Sequence, residues 1–512
     1  MKRSFLYLLL PLLFLSLFLN GFYLQPLNES PKTIGIFKNS IDIGDLNLNG
    51  DALYQTTDQT YTIRGSGSGV EDVSDHFHYL WNTVQGDFIV RAELDHKNTP
   101  GESYQFGWSI RNTITSDSEM VTLSVSSDGE LTISIRSERG AEAEWLISEK
   151  MTIDVIQIER VEGLFKIRVA NHGEAFTSFD IPEIDLKNQV VAGLFLSSPL
   201  DGNLSEVVFR NVRIVKPFPE NEQRNQRYLG SRMEILDVHT GMREVLFESE
   251  HSVQAPNWTV DGKELIYNSN GYLYRYDIDE GQISYLNTGF ATNNNNDHVI
   301  TFDGEQIAIS HHVPTDNNQS TIFIMPIEGS DHPRQVSKSG VGHAYLHGIS
   351  PDNQTVIFTG WRNNKYDIYA ADVNTMEETQ LTDTPFLDDG SEYSPDGEYI
   401  YFNSNRTGAM QLWRMKPDGS EQTQLTFDEN FNDWFPHISP DGEWILFISY
   451  GTDVESGDHP FYKHVTLRLM PVNGGEPTIV AYLYGGQGTI NVPSWSPDSR
   501  YVSFVSNSGR FY

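Results

Sequence analysis

The chain of 512 residues exceeds the length at which a single hydrophobic core keeps growing, so two domains of ordinary size are expected. Its 35 Lys+Arg against 70 Asp+Glu give a formal charge of −35, which repels nucleic acid and anionic membrane surfaces over most of the molecule and is otherwise accounted for by solubility. There is no cysteine, which excludes disulfides, thiolate metal sites, cysteine nucleophiles and a lipid-modified cysteine.

At the N-terminus, Lys2, Arg3 and Ser4 precede an apolar run from Phe5 to Leu19 broken only by Pro11 and Ser16. This pattern is an export signal. No small-x-small cleavage site follows, and Phe5 to Leu24 has the roughly 20 residues that span a bilayer, with Lys2 and Arg3 holding its start inside the cytoplasm. Residues 1–24 are therefore expected to be either a cleaved signal peptide or a membrane anchor. Either way, the bulk of the chain is expected outside the cytoplasm: periplasmic, secreted or tethered to the membrane.

From about 33 to 216, apolar and polar residues alternate in short runs such as Phe88-Ile89-Val90-Arg91-Ala92-Glu93-Leu94 and Leu131-Thr132-Ile133-Ser134-Ile135. Period-two alternation broken by Gly, Asn and Asp clusters predicts the antiparallel strands of a sandwich. Residues 217–227, polar and nearly free of apolar side chains, read as a linker.

After the linker the chain becomes repetitive. Six tetrads begin at Thr259, Thr301, Ser350, Ser394, Ser439 and Ser496, the fourth reading Ser394-Pro395-Asp396-Gly397, and their starts lie 42, 49, 44, 45 and 57 positions apart. Each precedes an aromatic or β-branched strand, and a second strand pair flanks a turn such as Pro417-Asp418-Gly419, where Gly accepts positive φ and Asp bonds its own backbone. Four strands per unit make a propeller blade, so residues 228–512 are expected to form six blades. Residues 233–238 and 243–247 look like the outer strands of a blade whose inner pair lies at Val492 to Phe504. Such a clasp closes the ring and removes its open edges.

The run Ser-Pro-Asp-Gly, apolar strand, Ser-Asn-Arg-x-Gly and Leu-Thr, seen from Ser394 to Gly408 and on to Leu425-Thr426, resembles the propeller repeat of TolB-like proteins. That resemblance implies a periplasmic propeller protein, although the α/β N-terminal domain of true TolB is missing and its Tol partner-binding role does not carry over. Asp42-Ile43-Gly44-Asp45, Phe77-His78-Tyr79, Gly86-Asp87-Phe88 and Gly107-Trp108-Ser109-Ile110-Arg111 look like a concanavalin-type jelly roll, a module that is often carbohydrate-binding. The expected fold is thus all-β, a jelly-roll sandwich followed by a six-bladed propeller. No Gly-x-Ser-x-Gly nucleophile elbow occurs, since Gly65 to Gly69 has Gly67 at its centre.

In a propeller the innermost strands line the channel, so positions just ahead of each tetrad recur around one ring: Asn257, His298, His347, Glu392, His437 and Ser494. Imidazole with carboxylate suits a divalent metal (Mn, Zn or Ca), with His298, His347, Glu392 and His437 as its expected ligands. By architecture and residue type the arrangement resembles oligogalacturonate lyases, whose channel histidines surround a manganese-like ion, although that family has seven blades. His298 and His347 lie three residues before their tetrads and Glu392 and His437 two, so in ideal strands they face opposite ways and a bulge is needed to unite them. The alternative is that these residues hydrogen-bond neighbouring blades. Asp388-Asp389, Asp433 and Gln487 could shape a polar pocket with Asn257, or be solvated loop groups. Trp434 and Tyr345 could stack on sugar rings or pack between blades. His311-His312 offer further ligands or surface decoration.

Two functions follow. One is a binding or scaffolding protein for glycans or envelope proteins. The other is a metal-assisted enzyme on polysaccharide fragments, in which an ion on His298, His347 and His437 acidifies the proton beside a uronate carboxylate.

Overall fold

The computed structural model describes residues 33–510 apart from 71–72, 96–103, 200–201, 220–221 and 225–226; the expected signal or anchor at 1–24 lies outside the described residues. Among the described residues every regular element is a strand. Those between Asn39 and Val215 form two antiparallel sheets, one of eight strands and one of seven. Alternate side chains, among them Leu80, Val90, Trp108, Leu123, Ile158 and Phe209, meet between the sheets in one core. The period-two pattern produces this sandwich because each strand has an apolar face to bury.

In Phe88–Asp95 the opposite face is buried as well, at Ile89, Arg91 and Glu93. The propeller covers it. Arg91 donates to the Tyr482 carbonyl and to Gln157 Oε1 (2.7 Å), while His464 Nε2 lies 2.9 Å from Glu159 Oε1. At the centre of this contact Glu234 accepts from Arg213 (2.6 Å), Arg243 (2.9 Å) and Ser506. The start of the segment read as a linker is tied down on the same side, where buried Phe218 stacks on Tyr462 at 5.1 Å and its N–H donates to Tyr484 Oη (2.9 Å).

Five four-stranded sheets follow, running from Gln254–Trp258 through Thr478–Gly485. The sixth blade is the expected clasp: Gly230–Asp237 pairs with Arg243–Ser249 on one side and Tyr501–Ser508 on the other, from Gly230↔Ser508 to Asp237↔Tyr501. Its innermost strand is reduced to the single bridge Trp495↔Val502.

Each tetrad closes the turn between a blade's two inner strands by the same three bonds. In the fourth blade Ser394 Oγ donates to Asp396 Oδ1 (2.6 Å), that oxygen accepts the Glu398 N–H (3.0 Å), and Ser394 Oγ accepts the Tyr399 N–H (3.0 Å). The same pattern recurs from Thr259 with Asp261 to Ser496 with Asp498. A short hydroxyl and a carboxylate two residues on satisfy the turn's own backbone donors, which is why the tetrad marks every blade.

Candidate functional site

All five complete inner strands break register at one level, between Gln254 and Asn257, Asn294 and His298, Leu346 and Gly348, Asp389 and Glu392, and Trp434 and His437. The bulge demanded by the uneven spacing of the channel residues is therefore present in each of these five blades. Three of the strands pass through left-handed backbone there, at Ala255 (φ 53°), Gly390 (φ 64°) and Phe435 (φ 55°). An aromatic residue rarely adopts that region. Phe435 is held in it by its N–H, which donates to Asn403 Oδ1 at 3.0 Å.

Even so, the bulges do not unite the four expected metal ligands. His437 Nδ1 lies 2.6 Å from Glu392 Oε2, its Nε2 meets the Ile490 carbonyl, and Glu392 Oε1 accepts the Ile438 N–H (2.9 Å). His298, wholly buried, has Nδ1 3.1 Å from the Asn296 carbonyl and Nε2 3.1 Å from that of Ile266; burial lowers its pKa to about 4. His347 pairs instead with Asp389. With the donor atoms of three of the four already engaged, these residues do not fit a shared ion, and no group of three or more His, Asp or Glu among the described residues is arranged to hold one.

On the tetrad side the channel opens into a cavity of about 290 Å³ that all six blades line, Trp258, Ile300, Ile349, Tyr393, Ile438 and Trp495 among them. Asn257 stands at this end, 3.4 Å from the His298 carbonyl.

A second cluster gathers around Asp389. Its Oδ1 accepts from Thr359 Oγ1 (2.6 Å), the Gly390 N–H (2.8 Å) and His347 Nε2 (3.0 Å), and His459 Nε2 stands 4.0 Å from Oδ2. Burial alone would raise the Asp389 carboxyl, but the His347 hydrogen bond and charge outweigh it and hold it at about 2. The same partnership overcomes the effect of burial on His347 and raises the ring's pKa. Burial pushes the neighbouring Asp297 up to about 6, the nearby His347 notwithstanding. His459 Nδ1 lies 2.6 Å from Gln487 Oε1, which also accepts from Asn491 Nδ2 (3.0 Å). Beside these groups runs a file of half-buried rings: His343 stacked on Tyr345 (5.4 Å, 4°), Tyr345 near Tyr366 (6.4 Å), and Tyr366 against Trp361 (4.5 Å).

Of the residues singled out in the sequence, His347, Asp389, Gln487 and Tyr345 thus come together. Trp434 does not present a face to any ligand, since it is fully buried against His459 (4.5 Å). Asp433 is buried too, bonded to Ser449 (2.6 Å) and Arg468 (3.2 Å). Asp388 is tied to Arg406 (2.7 Å). His311 is buried and accepts the Asn293 N–H (3.3 Å), while half-buried His312 lies near the Asn318 carbonyl (3.1 Å). Sequence reasoning missed His459, Asp297, Tyr366 and Trp361. The one signal available was the 57-residue spacing of the last two tetrads, which marks the insertion that carries His459.

Residues 303–459 match the family model for the TolB β-propeller domain. An uncharacterized protein of Agrobacterium fabrum is 42% identical over 276 residues, 54% of this chain and 92% of that one. A solved TolB-type structure from Agrobacterium tumefaciens is 41% identical with a TM-score of 0.52, covering 56% of this chain and 100% of that chain. The Tol-Pal system protein TolB of Francisella tularensis is 24% identical over 261 residues, 49% of this chain and 56% of its own, so the match spans about half of that relative's length. Closed six-bladed architecture, a shared turn motif in every blade and a relative matched over nearly its whole length together place this chain in the TolB β-propeller family.

Proposed function

We propose that the protein is an extracytoplasmic binding protein that holds a glycan at the channel mouth around Asp389 and His347. In this reading residues 1–24 direct export, with or without remaining as an anchor, and the sandwich is a concanavalin-type jelly roll offering a second recognition surface. One observation carries the proposal: a file of half-buried rings, Trp361, Tyr366, Tyr345 and His343, stands beside Asp389, His347 and Gln487. Aromatic faces take the apolar side of a sugar ring, and carboxylate, imidazole and amide groups take its hydroxyls. The second reading is that the same mouth accepts a segment of an envelope protein, its half-buried rings taking apolar side chains.

A glycan array probed with the purified protein, Tyr366→Ala and Asp389→Asn tests the first reading. Retention of one glycan class, weakened about tenfold or more in each variant, which corresponds to about 1.4 kcal/mol or more, is expected. Glycan binding that both variants leave untouched, or no glycan binding at all, would remove it.

A further inference from the structure

A different set of residues stands at the edge of the sandwich. Among the described residues, strand Asn39–Ile43 pairs only with Asp75–Gln85, in a register that sets Ser40 opposite Leu80 and Asp42 opposite His78. Residues two apart on a strand share a face, so Ser40 and Asp42 both reach the imidazole across from them. Asp42 Oδ1 lies 2.6 Å from His78 Nδ1, and Ser40 Oγ lies 2.8 Å from His78 Nε2. The Gly50 N–H donates to the same Asp42 oxygen (3.1 Å) and fixes the carboxylate.

Room for the ring is built in. A Cβ on Gly50 would sit 2.4 Å from His78 Cγ, and one on Gly65 would sit 3.2 Å from His78 Cβ. The His78 side chain is 4% exposed and that of Asp42 24%, whereas Ser40 faces solvent. With the imidazole proton on Nδ1, donated to Asp42, Nε2 is left to accept from the Ser40 hydroxyl. Hydroxyl, base and orienting carboxylate then stand in the order that activates a serine, an order recognised by geometry whatever the fold.

We propose that Ser40, His78 and Asp42 form a hydrolytic site for carboxylic esters of polar alcohols, an activity beyond the binding role proposed above and independent of it. Ser40 Oγ adds to the ester carbonyl carbon as its proton passes to His78 Nε2. The bond from that carbon to the alcohol oxygen breaks, and Nε2 returns the proton to the leaving oxygen. Water, deprotonated by the same nitrogen, then adds to the acyl-serine. The bond to Ser40 Oγ breaks with the proton restored, so that ester and water become alcohol and carboxylic acid. Asp42 is a positioning residue that holds the ring through Nδ1. Among the described residues the strand has no partner on its outer side, and alternate N–H groups along that edge would supply the donors to the oxyanion.

The residues just before Ser40 indicate the alcohol. Ile36, Lys38 and Asn39 line a cleft of about 1260 Å³ between sandwich and propeller, with Gln85 and Arg232 on its other walls. Ser40 does not itself line this cleft but follows directly on Asn39, so the Lys38, Asn39, Gln85 and Arg232 side chains would hydrogen-bond a hydroxylated carrier, such as an O-acylated sugar, whose ester reaches past Asn39.

Incubating the full chain with a fluorophosphonate, and separately with p-nitrophenyl acetate, tests the site. One adduct located on Ser40 by peptide mass is expected, together with ester turnover that falls about 100-fold or more in Ser40→Ala, as triad losses do. Since His78 is packed in the sandwich, Asp42→Asn serves as the second variant. It should keep the wild-type melting temperature and KM while kcat falls and its dependence on pH changes. Folded wild-type protein that is not labelled at Ser40, or Ser40→Ala turning over the ester at the wild-type rate, overturns the proposal.

Discussion

Asp297 and His298 are neighbours in one inner strand, both buried, and burial moves them in opposite senses. The Asp297 carboxyl, ordinarily at 3.8, stands at about 6, so the folded state holds its proton more tightly and stability is lost as pH rises from 4 through 6. The His298 ring, ordinarily at 6.5, stands at about 4, so its neutral form is favoured on folding and stability is lost as pH falls from 6.5 towards 4. Each effect is on the order of 3 kcal/mol, and between pH 4 and 6 they offset. Asp297→Asn should therefore raise the melting temperature at pH 7 and leave a steady decline on acidification below pH 6.5. Melts of wild type and variant across that range decide it, and parallel profiles would show that the carboxyl is not raised. Which neighbour faces the channel and which the blade interface was not legible locally, because the register break ahead of His298 resets the alternation.

At the scale of the blade, two local devices differ in how far the sequence reveals them. The tetrad is self-contained, with hydroxyl, carboxylate and backbone donors within five residues, so its spacing alone counted the blades. Replacing its carboxylate in Asp396→Ala removes the acceptor of two bonds and should cost about 1–2 kcal/mol, read as a lowered denaturant midpoint. The bulge, by contrast, carries no signature residue: Ala255, Gly390 and Phe435 occupy the same place. What sets it is contact between blades, such as the Asn403 side chain that takes the Phe435 N–H. A Cβ on Gly390 would meet Asn403 Oδ1 at 2.3 Å and the Phe435 ring at 2.9 Å. Gly390→Ala is therefore expected to cost more than the roughly 1 kcal/mol of left-handed strain alone, whereas Gly442→Ala, with open space around it, should cost about that amount. Equal losses in the two variants would mean that Asn403, in the same blade, and Phe435, in the next, yield freely.

For the whole molecule, the decisive feature is a buried charge cluster where the sandwich meets the clasp. Glu234 is fully buried, and burial, which opposes its ionisation, is outweighed by Arg213 and Arg243, which hold it at about 2. Glu234→Ala leaves two buried guanidinium groups without their carboxylate, a loss of roughly 3–5 kcal/mol. Because Arg213 belongs to the sandwich and Arg243 to the propeller, calorimetry should show one cooperative transition in the wild type and a lower, broadened or split one in the variant. Two separate wild-type transitions would mean that the interface does not couple the halves. Deleting Tyr501–Ser508 strips Gly230–Asp237 of its inner partner and should abolish cooperative unfolding of the propeller.

From the sequence alone came the all-β class, the number of blades and the clasp, because these rest on period-two alternation and on a turn motif whose bonds close within a few residues. The same reading identified His347, Asp389, Gln487 and Tyr345 as candidates, but also Trp434, Asp433 and a four-ligand metal set. Only the tertiary structure separated them. Bulges shift side chains from one face to the other, blade contacts decide which groups are already bonded, and a buried charge can find its partner far along the chain, as Arg468 does at Asp433, 35 positions away. The Ser40, His78 and Asp42 constellation was out of reach for the same reason, since 38 positions separate its serine from its base and only the pairing of two strands brings them within 2.8 Å.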